Sequence, residues 1–164
     1  MNSKEQQNEM RWRVFMEYRN VTKEAFNVAG IRAVTEWAGG VWGIVKSDGS
    51  MERMQQIAGE SKVTLGLCFG FDEKGHNDNM VGFFTELDKV EDYEVVHYPE
   101  SKWIELVAEG KISDNVLGNA WQYIHAKLID KNVITQRDVP TIEDYAVWDE
   151  EHDYCKVINS IAVI

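Results

Sequence analysis

Proline, cysteine and histidine are all scarce in this chain, and each scarcity excludes something. Of the 164 residues, two are proline, two cysteine and four histidine. Pro99 and Pro140 are too few for a Pro-rich linker, and no low-complexity tract occurs. The length therefore reads as one domain, or two small units sharing a core. Cys68 and Cys155 lie in apolar, strand-like runs without CxxC spacing, and they read as reduced core residues. His76, His97, His125 and His152 stand at no metal-ligand spacing from one another or from a cysteine. The oxygen-rich stretch 72–79 lacks the calcium-loop pattern. No GxSxG, P-loop or GxGxxG motif is present, so neither metal nor cofactor is expected. No apolar run approaches the roughly 18 residues of a membrane-spanning helix. The polar start, Met1 to Glu9, is not a signal peptide, and with reduced cysteines this places the protein in the cytoplasm. Basic residues are also short: 17 Lys and Arg face 28 Asp and Glu, for a net charge of −11. Without a basic cluster no direct contact with nucleic acid is expected. An acidic surface serves solubility, attracts cations, or engages a basic partner.

What the chain has in quantity is aromatic surface: six Trp, six Tyr and six Phe. Its apolar residues fall into short alternating runs with two helical stripes between them. The runs 14–21 and 26–35 read as strands, with the polar Thr22-Lys23-Glu24 between them as a hairpin connection. Gly30 marks a bulge or a close approach. The segment 37–49 holds four glycines and reads as a loop with a helical turn. Met51, Met54, Ile57 and Ala58 recur at helical spacing, and 63–69 and 81–87 are strands. The pattern then returns. Strands are predicted at 93–98 and 103–108. A helix starting at Ser113 or Asp114 carries the stripe Val116, Leu117, Ala120, Trp121, Ile124, Leu128. Strands follow at 141–147 and 155–164. Residues 1–13 are expected to be a frayed or disordered tail, and 14–164 one α+β domain. Its strand-strand-helix-strand-strand order runs twice, over about 14–87 and 93–164. An antiparallel sheet with two helices on one side would leave a seam between the halves, where ligands favour binding.

Four stretches carry a resemblance. Ala25-Phe-Asn-Val-Ala-Gly30 with Ile31, Leu65-Gly-Leu-Cys-Phe69 with Met80-Val-Gly-Phe83, Trp121-Gln-Tyr-Ile124, and Pro140-Thr-Ile-Glu-Asp-Tyr145 follow one another in order over about 14–164. The chain thereby resembles the GyrI-like small-molecule-binding domain, the effector-binding domain of AraC- and MerR-type regulators. The resemblance implies a tandem ββαββ fold with pseudo-twofold symmetry. No helix-turn-helix precedes the domain in this sequence, so a stand-alone form is expected. Two departures stand out: the Gly- and Trp-rich segment 37–49, and the run 130–138, which lacks the family's G-Y-E.

Glu143 and Tyr145 are two apart in a strand and so share a face. The resemblance places Glu143 where the family has a glutamate facing its ligand. A buried carboxylate without a partner is costly, and an entering cation removes that cost. The alternative is a solvent-facing glutamate on an edge strand. Trp103, Trp121 and Tyr123 offer flat walls for a planar cation, or else ordinary core packing. Trp37 and Trp42 form a lid over the site, or anchor their loop. Phe83 and Phe84 face opposite ways and read as core. The expected function is capture of a hydrophobic cationic small molecule, of the multidrug type, by sensing or sequestration, in a monomer or homodimer without membrane contact. Two alternatives follow from the resemblance. One is hydrolysis of strained electrophiles, with Glu143 as general base and Tyr145 as proton donor or hydrogen-bond partner. The other is inhibition of a basic protein partner, which salt would weaken.

Overall fold

A computed structural model of the chain describes residues 2–4, 6 and 17–164. Most of the expected N-terminal tail, and the first residues of the strand expected from Val14, lie outside the described residues. Eight strands form one sheet: β1 (Tyr18–Lys23), β2 (Phe26–Thr35), β3 (Leu65–Phe71), β4 (Asn77–Thr85), β5 (Glu94–Tyr98), β6 (Ser101–Gly110), β7 (Thr141–Asp149) and β8 (Tyr154–Val163). Their spatial order is β1-β6-β8-β7-β3-β4-β2-β5, and every pairing is antiparallel. The α+β architecture is the expected one.

One expectation fails at the first connection. β1 and β2 are not a hairpin: β1 pairs with β6, while β2 pairs with β4 and β5. The same happens between β5 and β6, which Pro99 and Glu100 join without pairing them. Each repeat sends its first strand to the outer edge of the other repeat. A short polar connection limits how far apart two strand ends lie, but it does not choose the partner. Besides these two exchanged edge pairings, the halves meet at the middle of the sheet where β3 pairs β7, over four residue pairs from Leu65↔Asp144 to Cys68↔Thr141.

Within the described stretch 17–164, three α-helices pack on one face. The helix α1 (Gly40–Ser47) and the helix α2 (Ser50–Ala58) bury Val41, Val45 and Met54 against Ala29, Val81 and Phe83. Segment 37–49 is thus mostly helical rather than loop. Its glycines mark contact: a side chain at Gly40 would strike Thr35. In the second half a 3₁₀ turn, Ile112–Asp114, precedes α3 (Val116–Tyr123), which continues as a π-helical stretch, Ile124–Ile129. Ala120, Ile124 and Leu128 cover Ile104, Leu106 and Ile161. The predicted stripe holds, although the helix begins at Val116 because Asn115 adopts a left-handed φ of 53°.

On the helix-free face the sheet curls on itself. Phe26 and Tyr98 stack at 4.7 Å, and Tyr98 lies 5.5 Å from Trp103, although β5 and β6 lie near opposite ends of the strand order. Tyr98 Oη donates to Pro140 O at 3.0 Å, which ties this core to the start of β7. Phe83 is buried on the helix face, as expected of a core residue, whereas Phe84 is partly exposed.

Gly30 is a close approach, with no register shift across β2–β4. A Cβ there would stand 2.1 Å from Val81 O, a backbone atom that cannot move aside. Gly30→Ala is expected to cost about 2 kcal/mol through overpacking. Thermal unfolding should show the midpoint falling by roughly 4–8 °C.

Candidate functional site

The register places the site. Across the helix-side face one row of paired residues runs Ile31, Val81, Gly66, Glu143, Asn159, Leu106. α1 and α2 cover the Val81 end, and α3 covers the Leu106 end. Gly66 and Glu143 lie between, at the seam, where no helix sits over the sheet. A cleft of about 840 Å³ opens there. That volume is within the range of small-molecule sites, about 300–1,000 Å³. Gly66 contributes no side chain, and the indole of Trp42 and ring of Tyr145 approach the space a Cβ would take.

Aromatic rings form the walls. Trp42, on α1, meets Tyr145 edge-on with centroids 5.0 Å apart, and Tyr145 meets Trp148 likewise at 5.5 Å. Trp37 stands at the lip and is 64% exposed. Trp121, on α3, is half-buried and turns toward the seam, where its Nε1 donates to Glu143 Oε2 at 3.2 Å. Lys46 and Glu150 are the other charged groups of the cleft. The Lys46 ammonium lies 5.7 Å from the Trp42 ring centroid, and Glu150 accepts a hydrogen bond from Trp148 Nε1.

Glu143 is the electrostatic centre. β7 is an interior strand, so the solvent-facing edge glutamate is excluded. The carboxylate receives two neutral donors, Trp121 Nε1 and, at 3.4 Å, Tyr145 Oη. Among the described residues no cation pairs with it. Burial pushes its pKa up, and the two hydrogen bonds counter that only in part. Its cross-strand neighbour Asn159 is fully buried, with Nδ2 donating to Leu106 O. Asn159 Oδ1 has no partner among the described residues. Burial, and then the charge of Glu143, raise the pKa of Tyr145, so its hydroxyl stays a proton donor.

Five of the seven residues expected from the sequence therefore line one cleft: Glu143, Tyr145, Trp121, Trp37 and Trp42. Two do not. Trp103 is fully buried on the opposite face, in the core with Tyr98 and Phe26, because its register partner Ala162 lies on the helix-free side of the sheet. Tyr123 packs into the core under α3, close to Tyr18 of β1, far round the helix from the seam. Trp148 joins the site unforeseen. Strict alternation would put it opposite Tyr145, but a bulge between Tyr145 and Val147 shifts the parity. No group of His, Cys, Asp and Glu able to hold a metal occurs among the described residues, and no described helix is long and apolar enough to cross a membrane.

The model of the GyrI-like small molecule binding domain matches residues 16–158. Among solved structures, SAV2435 bound to tetraphenylphosphonium is similar, with 18% identity and a TM-score of 0.71 over 90% of this chain and 94% of that one. The EcmrR C-terminal domain gives 13% identity and a TM-score of 0.62, covering 91% and 98%. A hydrolase from Listeria innocua gives 10% and 0.54, covering 97% and 98%. At these identities the likeness is one of fold. No curated protein matches the chain.

Proposed function

Because the chain belongs to the family of GyrI-like small molecule binding domains, we propose that its seam captures a hydrophobic organic cation. The observation that carries this reading is Glu143: a carboxylate at the floor of an aromatic cleft, with neutral donors and no cation partner among the described residues. A charge so placed is costly until a counter-charge arrives. The rings of Trp42, Tyr145 and Trp148 exclude water from a lipophilic guest and attract its charge, at roughly 0.5–2 kcal/mol for each well-placed ring. Trp37, exposed at the lip, closes over the guest. The similar protein SAV2435 was solved with a cation of this class, tetraphenylphosphonium. Such capture serves sensing or sequestration equally well.

Tetraphenylphosphonium, titrated against triphenylphosphine oxide as an uncharged analogue, tests the reading by tryptophan fluorescence. The cation is expected to quench the cleft tryptophans and to bind at least roughly tenfold more tightly than the oxide. Equal affinities would remove the carboxylate from the account.

The contact between Tyr145 Oη and Glu143 supports a second reading, hydrolysis of a strained electrophile, and one neighbour of similar fold is a hydrolase. Glu143 would take a proton from water while Tyr145 gives one to the leaving oxygen. This reading requires turnover of an epoxide-type substrate that both Glu143→Gln and Tyr145→Phe abolish.

A further inference from the structure

A second cavity, about 790 Å³, lies on the far side of Trp121. It shares three lining residues with the aromatic cleft, Ala38, Trp121 and Glu143. The Trp121 indole is thus a partition with Glu143 at its foot. The partition is held by one hydrogen bond at 3.2 Å, a tilted contact with His125 at 6.0 Å, and packing of its inner edge against the core under α3. The π-helical stretch begins three residues after it, and such local widenings of a helix recur at functional sites.

The two chambers differ in chemistry. The first is walled by indoles and a phenol. The second carries Asn77, Gln136 and Thr141, whose side chains make no hydrogen bond among the described residues, with Phe69 and Phe71 beside them. Thr141 stands opposite Cys68 across the seam, and both line this chamber. Amide and hydroxyl groups without a protein partner, placed in a concave site, can exchange water for a polar ligand group and fix its orientation.

We propose that the second cavity is a subsite for a hydrogen-bonding arm, so that the preferred guest is an aromatic cation with a polar tail passing beneath Trp121. The proposal rests on the cation reading of the cleft and deepens it. The aromatic head fills the first chamber, the positive centre lies at Glu143, and the tail meets Thr141 and Gln136. A compact cation occupies the first chamber alone.

Two probes separate these claims: tetraphenylphosphonium, and a triphenylphosphonium with a butanamide arm. The arm-bearing cation is expected to bind wild type roughly tenfold more tightly, the value of about one good hydrogen-bonding anchor. In the double variant Thr141→Val, Gln136→Leu that advantage should vanish, with tetraphenylphosphonium affinity unchanged. In wild type the arm-bearing probe alone should slow alkylation of Cys68 by iodoacetamide, a result that decides the matter even if the double variant fails to fold. Equal affinities of the two probes for wild type, or equal losses in the variant, or equal protection of Cys68, would overturn the proposal. Failure of tetraphenylphosphonium itself to bind would instead strike the cation reading, and the subsite would fall with it.

Discussion

Glu143→Gln is expected to bind tetraphenylphosphonium roughly 10- to 100-fold more weakly than wild type, and yet to unfold at a higher temperature when empty. Both effects have one cause. The carboxylate sits where burial raises its pKa, so the folded protein holds the Glu143 proton more tightly than the unfolded chain does. The stability this group contributes is full below its unfolded pKa and is lost as pH rises through the higher folded value. Above the unfolded value the empty protein therefore carries the cost of burying this acid, a cost the unfolded chain is spared. Glutamine removes the charge, keeps an oxygen for Trp121 Nε1, and lifts that cost. A gain on the order of 1–2 kcal/mol corresponds to roughly 2–8 °C in the midpoint. The gain should shrink toward zero as the pH falls below the ordinary glutamate value near 4.5. Cation affinity in wild type should fall over the same descent, beginning above that value, because protonation discharges Glu143. Calorimetric titration and thermal unfolding, followed from neutral pH down through the ordinary glutamate value near 4.5, check both arms. A variant that loses stability at neutral pH, or a wild-type affinity flat in pH, would contradict the account.

Trp103→Ala is expected to destabilise the fold by about 3–5 kcal/mol, a fall of roughly 10 °C or more. The indole is wholly buried beside Phe26 and Tyr98, with the Lys23 ammonium 5.2 Å from its ring centroid. Trp103→Phe should cost much less, since the Trp103 Nε1–H finds no acceptor among the described residues and its loss relieves an unpaired donor. The phenylalanine variant should also bind tetraphenylphosphonium within about twofold of wild type. A large loss of affinity in that variant, with the midpoint preserved, would return Trp103 to the binding site from which its position removes it.

The chain itself settled a good deal. Period-two runs separated by helical stripes specify strands and helices whatever their final neighbours, because each must bury one face. The pairing of Glu143 with Tyr145 on one face, and the turn of Trp121 toward the sheet, follow from spacing alone. Local signals went astray where glycine was taken to mean flexibility: in 40–47 it means close packing, with Val41 and Val45 anchoring a helix. They also failed at the β7 bulge, where one extra residue exchanges the faces and brings in Trp148.

Strand partners, and with them the cleft, were decided only in three dimensions. The first strand of each repeat crosses to the other half, a choice that connection length leaves open. Which aromatics see the ligand depends on sheet face and register. Trp103 and Trp121 look alike in sequence, yet one closes a dry core and the other partitions a cavity. Burial and pairing are properties of what surrounds a side chain, and those surroundings arrive from residues distant in the chain. Sequence could therefore supply the acid and the rings, but only the packed sheet buries Glu143 with no cation beside it among the described residues.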